Sequence, residues 1–273
     1  MEQRLDIYLV ENLKVKSRSK AQELIRGGYV TVNGKKASKT GLFVSEKDDI
    51  KIIENDVLKY VSRGGLKLEK AINEFGLDLS GVSVLDIGSS TGGFTDCALQ
   101  HGAKRVVAVD VGTDIMDAVL CTDMRVELHE NTDIRDFDID GAEYTDISLC
   151  VCDASFISLP IALSRIGRSK KEFKLVTLIK PQFECGQKIA SKYKGVITDK
   201  QVHKDVLTRV LDEMKRLGFA IQKLTFSPIT GGDGNIEYLA LFSHGNAAGS
   251  TLPISEAGIE GLIDEAFKAN IER

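Results

Sequence analysis

The chain has 273 residues, 42% hydrophobic and 28% charged, with a net charge of −4, the balance of an ordinary globular protein. No apolar run approaches the roughly 18 residues of a membrane span, and the opening MEQRLDIYLVENLKVKSRSK lacks a signal-peptide core, so a soluble cytoplasmic protein without membrane contact is expected. The charge is uneven. Residues 1–67 hold 14 Lys and Arg against 9 Asp and Glu, a net of +5, which leaves −9 for the remainder. Either a polyanion meets the basic part or the excess is ordinary surface charge.

In chain order, Leu5, Leu9, Val10 and Leu13 form a helical stripe. A second helix is predicted within 17–28, opened by Ser17 or Ser19 and closed by Gly27-Gly28. YVTVNGKKA (29–37) alternates like a strand and turns at Asn33-Gly34, and DDIKII (48–53) supplies a closing strand. Basic residues gather at Arg4, Lys16, Arg18, Lys20, Arg26, Lys35 and Lys36. RLD (4–6), SRxxAxxLIxxG from Ser17, VxVNG from Val30 and DxI from Asp48 together resemble the S4 RNA-binding domain. The resemblance implies a small α+β module over 1–59 that binds structured RNA through phosphate and shape contacts. Its RNA-facing residues would be Arg4, Ser17, Arg18, Lys20, Arg26, Asn33 and Lys35.

Residues 60–66 are expected to be a linker, with Gly64-Gly65 as its hinge and Arg63 as a further RNA contact. The second domain, 67–273, alternates apolar runs with amphipathic stretches. Strands are predicted at 82–88, 105–111, 126–130, 147–153, 174–181, 221–227 and 236–243, with helices in GFTDCALQHG, SLPIALSRIG and DKQVHKDVLTRVLDEMKRLG. A last helix is capped by Ser255. Continuous Val/Ile/Leu runs suit strands covered on both faces, which gives a doubly wound α/β domain. The last two strands have no helix between them and are expected to be antiparallel neighbours. A mostly parallel seven-stranded sheet with one reversed strand resembles the Rossmann-like methyltransferases that use S-adenosylmethionine (SAM).

LDIGSSTGGFTD (85–96) falls at the first strand-to-helix turn, where open α/β sheets bind ligands. Gly88, Gly92 and Gly93 let backbone approach a ligand closely. The D-x-G-x-x-x-G spacing differs from the dinucleotide pattern and resembles the SAM loop, which implies cofactor contacts from Asp86, Ser89, Ser90 and Phe94 as well. Asp110, with Val111 beside it, stands 24 residues after Asp86, where an acid binds ribose hydroxyls. Asp133 would accept from the adenine amino group, although ENTDIRD (130–136) departs from the expected pattern there. The five cysteines (97, 121, 150, 152, 185) are odd in number and form no C-x-x-C pair, so reduced, buried thiols are expected. The four histidines show no ligand spacing, and no metal is expected.

Three ionisable residues fall at strand ends on one rim. Asp153 ends the fourth strand, Lys180 the fifth, and Glu237 begins the reversed one. Desolvation of such a lysine, or a neighbouring cation, lowers its pKa and suits it to general-base work. CDASF replaces the [N/D]PP[Y/F] of amine methylation, and no cysteine has the setting of a C5 nucleophile, which leaves a hydroxyl acceptor. Lys67, Asp153, Lys180 and Glu237 look like the K-D-K-E tetrad of FtsJ-type ribose 2′-O-methyltransferases. With SRGGxKL, CDASF, LIKPQFE and GNxEY, the chain is similar throughout to the TlyA family of rRNA cytidine 2′-O-methyltransferases, historically labelled haemolysins. That resemblance implies SAM as cofactor, 23S and/or 16S rRNA in ribosomal subunits as partner, and Asp153 also at the cofactor. Lys180 would be the base, held by Asp153 and Glu237, with Lys67 keeping the site positive. A pore-forming haemolysin and a non-catalytic ribosome-binding protein are the competing readings. No motif speaks to oligomeric state.

Overall fold

The computed structural model describes residues 2–13, 15, 17–53, 59–245 and 254–271. Lys16, one of the basic cluster, lies outside them. The chain forms two compact units, Met1–Ser62 and Arg63–Arg273.

The first unit runs β1 (Gln3–Arg4), α1 (Leu5–Asn12), α2 (Arg18–Arg26), β2 (Val30–Val32), β3 (Lys35–Lys36), β4 (Phe43–Val44) and β5 (Ile50–Ile52). Leu5, Leu9, Ala21, Leu24 and Ile25 are fully buried where α1 and α2 pack. The Ser17 hydroxyl accepts from the Lys20 N–H at 3.2 Å and so caps α2. β2 pairs antiparallel with β3 and β5, and its hairpin turns through Asn33 (φ 52) and Gly34 (φ 75), the left-handed pair that matches strand twist. A short β1–β4 pair was not predicted: Arg4 leaves the helix and lies opposite Phe43.

The second unit corrects the expected hinge. Gly64-Gly65 open α3 (Gly64–Phe75). Leu68, Ala71, Ile72 and Phe75 are buried at i, i+3, i+4 and i+7, and this stripe carries helix into the glycine pair. Gly76, left-handed at φ 66, ends it. There follow β6 (Ser83–Ile87), α4 (Gly93–Gln100), β7 (Arg105–Val109), α5 (Ala118–Cys121), β8 (Val126–His129), β9 (Ile147–Cys152), α6 (Leu159–Ala162), β10 (Phe173–Ile179), α7 (Pro181–Glu184), α8 (Gln187–Lys192), α9 (Lys200–Arg216), β11 (Phe219–Phe226), β12 (Tyr238–His244) and α10 (Glu256–Ile271). The sheet order is β11-β12-β10-β9-β6-β7-β8. β12 runs antiparallel to both its neighbours, and the other pairs are parallel. This is the expected seven-stranded doubly wound sheet with one reversed strand. SLPIALSRIG is not one helix: α6 is a single turn followed by a 3-10 turn at Ile166–Arg168. Ser255 caps α10 as expected, its hydroxyl accepting from the Gly258 N–H at 3.1 Å. Among the described residues no helix is long and apolar enough to cross a membrane.

Candidate active site

The carboxyl ends of β6, β7 and β9 open onto a cavity of about 420 Å³. Gly88 turns the chain at φ 74, and a Cβ there would sit 3.2 Å from Ala154 Cα, so the loops after β6 and β9 approach as only glycine permits. Gly92 turns at φ 90, where a Cβ would collide with Leu120 at 2.2 Å. Of the predicted cofactor residues, Gly88, Ser90, Asp110, Val111, Asp133 and Asp153 line the cavity; Asp86, Ser89, Gly92, Gly93 and Phe94 do not. Asp110 accepts from the Ser90 and Gly112 N–H groups, both at 2.7 Å, and each oxygen retains a lone pair for a ribose hydroxyl. Asp133 is clasped by the Arg135 guanidinium, with Nε 2.9 Å from Oδ1. That hydrogen bond, helped by the Arg135 backbone N–H, holds its carboxyl below the usual range and leaves it less free for an adenine.

Asp86 is fully buried, and Thr95 donates to its Oδ2 at 2.6 Å. Burial raises its pKa to about 7 against the Thr95 bond, with the Asp153 charge adding to the rise. Asp86 Oδ1 and Ser89 Oγ are buried with no hydrogen-bond partner among the described residues. Orphaned buried acceptors are costly. Together with the acid at Asp110 and the glycine cradle, they fit a ligand that brings cationic and hydroxyl groups, as SAM does.

On the same rim the tetrad residues meet. Lys67 on α3 donates to Asp153 Oδ2 at 3.2 Å and Glu237 Oε2 at 2.8 Å. Lys180, just beyond β10, forms an ion pair with Asp153 Oδ1 at 2.6 Å and donates to the Asp153 carbonyl at 3.2 Å and Ser155 Oγ at 2.8 Å. Because β12 is reversed, Glu237 at its start lies on the rim that β9 and β10 end on. Lys67, Lys180 and Glu237 are only 8%, 6% and 3% exposed. Burial opposes the charge on Lys67, but Asp153 and Glu237 outweigh it and raise its pKa above the ordinary lysine value. The expected pairing of Glu237 with Lys180 is corrected: Glu237 is held by Lys67 and by Gln182 Nε2 at 3.1 Å, because α3 inserts Lys67 between the two carboxylates.

Ser155, Gln182, Phe156 and Glu184 were not singled out in the sequence, although CDASF and KPQFE contain them. Phe156 is 91% exposed with a left-handed backbone (φ 64), and its ring centroid stands 5.0 Å from that of Phe183. A bulky residue rarely adopts that conformation without a functional constraint. Glu184 is buried and accepts from the Leu159 N–H at 2.6 Å and the Ser158 hydroxyl at 2.8 Å, tying α7 to the loop that carries Asp153. Cys97, Cys150 and Cys152 are buried as expected, but Cys121 is exposed and Cys185 half-buried. Burial pushes the Cys152 thiol up to about 11 and Cys150 higher still, which suits neither to nucleophilic work.

In the first unit, Arg18, Arg26 and Lys35 are exposed. Arg4 and Arg18 both bond Asp6, and Lys20 Nζ donates to the Tyr60 carbonyl at 3.4 Å. The Asn33 amide bonds Asp48 and the Asp49 N–H, so its polar ends serve the turn. Arg63 is half-buried at the N-cap of α3.

The family described as FtsJ-like methyltransferase matches residues 60–244, and the S4 domain matches residues 3–50. Hemolysin A of Brachyspira hyodysenteriae is 42% identical over 88% of this chain and 99% of its own. The 16S/23S rRNA (cytidine-2'-O)-methyltransferase TlyA of Mycobacterium tuberculosis is 36% identical over 86% of this chain and 87% of its own. A solved structure from Streptococcus thermophilus, named provisionally as a hemolysin, is 35% identical, covers 100% of this chain and 99% of its own, and superposes with a TM-score of 0.77.

Proposed function

The chain belongs to the FtsJ-like methyltransferase family, and from that premise we propose that it is a SAM-dependent rRNA methyltransferase acting on the 2′-OH of a cytidine ribose. The observation that carries the proposal is the run Glu237, Lys67, Asp153, Lys180 beside the cavity, buried except for the partly exposed Asp153, with the neighbouring thiols Cys150 and Cys152 pushed up by burial. Such a rim handles a hydroxyl acceptor, whose proton must leave before its oxygen attacks.

Lys180 is the base in this reading. Its Nζ donates to the Asp153 carbonyl and to Ser155 Oγ, and stands 2.6 Å from the Asp153 carboxylate as an ion pair. To act as base the amine first gives one proton to solvent and becomes neutral; the arriving 2′-OH then takes the place of the Ser155 hydroxyl and passes its proton to the Nζ lone pair. Lys67 stays charged, holds Asp153 and Glu237 in place and neutralises them. Asp110 would hold ribose hydroxyls of the cofactor, and Asp86 would balance its positive charge. SAM, when bound, supplies an electrophilic methyl on a sulfonium. Holding the reactants together contributes most of the acceleration, and the base roughly 10²–10⁴-fold. The exposed Phe156 ring offers a stacking surface for the target base once it leaves its helix. The S4 domain delivers the RNA.

Tritiated methyl transfer to small and large ribosomal subunits from cells lacking the enzyme, with nucleotide mapping, tests the proposal. Label on a cytidine ribose, lost in Lys180→Ala with SAM binding retained, is expected. Near-normal transfer by Lys180→Ala would remove the assigned base, and no label on either subunit would favour a binding-only role. SAM-independent leakage from liposomes would favour the pore-forming reading.

A further inference from the structure

Arg4 and Phe43 are direct antiparallel partners in the β1–β4 pair, so their side chains share one face. Phe43 is 65% exposed, and a ring so placed contributes little to the core. Beside it, Asp6 is fully buried. It accepts from Arg4 Nε and Nη2, both at 3.0 Å, from Arg18 Nε at 2.9 Å and from Gln22 Nε2 at 2.8 Å. One carboxylate thus orders two guanidiniums, and the cluster keeps a net positive charge. The Arg4 and Arg18 side chains are 39% and 55% exposed, and each guanidinium has N–H groups beyond those given to Asp6. A Cβ at Gly41 would lie 3.4 Å from Arg4 Cζ, so the Arg4 head lies along the β4 end of the same face. A fixed pair of guanidiniums is suited to a phosphate. An exposed ring next to it is suited to the flat face of a base that is not stacked in a helix.

We propose that Phe43, Arg4 and Arg18 form a dock for one unpaired nucleotide of RNA, the guanidiniums taking its phosphate and the ring stacking on its base, with Asp6 as the positioning residue. This rests on the reading of the protein as an RNA methyltransferase, and it adds a preference for a bulged or looped nucleotide to a domain expected to read only phosphates and shape. The positive charge of the cluster favours RNA over an apolar protein partner for the exposed ring.

The test uses the full-length protein and two hairpin RNAs of equal length, one fully paired and one with a single bulged 2-aminopurine. Wild type is expected to bind the bulged hairpin at least about fivefold more tightly, the low end of the value of one stacked base, with quenching of the 2-aminopurine. Phe43→Ala should bring the bulged hairpin to the affinity of the paired one and abolish the quenching, while Phe43→Trp keeps both. Asp6→Asn should weaken the bulged hairpin even though it raises the net positive charge of the cluster, because the two guanidiniums lose the carboxylate that orders them. Phe43 is exposed, so the melting temperature of Phe43→Ala should match wild type. Equal binding of the two hairpins by wild type, or no effect of Phe43→Ala, would overturn the dock. Weaker binding of Phe43→Ala to intact subunits but not to protein-free RNA would overturn it in favour of a protein partner. Methyl transfer to subunits, run in parallel, separates these outcomes from failure of the enzyme reading: a wild type that methylates rRNA but ignores the bulge loses the dock alone.

Discussion

Asp86 and Lys67 are both buried charges, and opposite surroundings move them in ways that can be measured. The carboxyl of Asp86 is raised from 3.8 to about 7. Its contribution to stability is therefore complete below pH 3.8 and lost as pH rises through about 7. A cationic ligand reverses the preference, so SAM affinity should improve about tenfold between pH 6 and pH 8. Asp86→Asn should flatten that rise in calorimetric titration and make the ligand-free protein relatively more stable at pH 8. For Lys67 the raised pKa gives stability that is fully present below its ordinary 10.5 and lost only above the raised value. Lys67→Met leaves Glu237 buried without its cation, and breaking such a pair costs about 3–5 kcal/mol, readable in urea unfolding. The double change Lys67→Met with Glu237→Gln should recover part of that stability and none of the activity. The tetrad residues themselves were legible as motif letters. Their pairing was not, because it depends on α3 carrying Lys67 between two carboxylates far apart in the chain.

At the level of elements, short connections hold the rim. Glu184 joins α7 to the start of α6, and the loop between β9 and α6 carries Asp153, Ser155 and Phe156. Removing that carboxylate lets the loop drift from Lys180, and a displacement near 1 Å costs about 10²-fold in rate. Glu184→Ala is expected to lower kcat by about that factor in single-turnover assays, with Glu184→Gln intermediate and the SAM Kd unchanged in both; a general loss of fold would lower SAM binding too. A Cβ at Gly231 would stand 2.7 Å from Glu237 Oε1, so Gly231→Ala should displace Glu237 and lower kcat while RNA binding is kept. Element types followed the hydrophobic period: all seven strands of the sheet, α2, α9 and α10 formed where the pattern placed them. Besides the broken SLPIALSRIG helix, two things did not follow. Gly64-Gly65 have the local character of a hinge, but burial of the stripe Leu68, Ala71, Ile72 and Phe75 overrides glycine's poor helix propensity. The β1–β4 pair is too short to leave any period at all.

On the scale of the whole molecule, the first unit (1–62) carries a net +3 and the second (63–273) a net −7, a division that suits RNA binding in the first and the methyltransferase site in the second. Arg18→Glu with Arg26→Glu should raise the KM for ribosomal subunits and reduce the salt slope of RNA binding by up to about two, while SAM binding in the acidic unit stays as it was. The sequence by itself determined the seven strands of the sheet, the reversed strand and the glycine loop, since each rests on local period or spacing within a few residues, and its resemblance to the K-D-K-E motif pointed to the four tetrad residues. Only the tertiary structure decided which carboxylate faces which lysine, that Ser155 accepts from Lys180, and that burial raises the Asp86 carboxyl to about 7. Those properties depend on distance and dielectric between residues remote in the chain, and a linear pattern does not contain them.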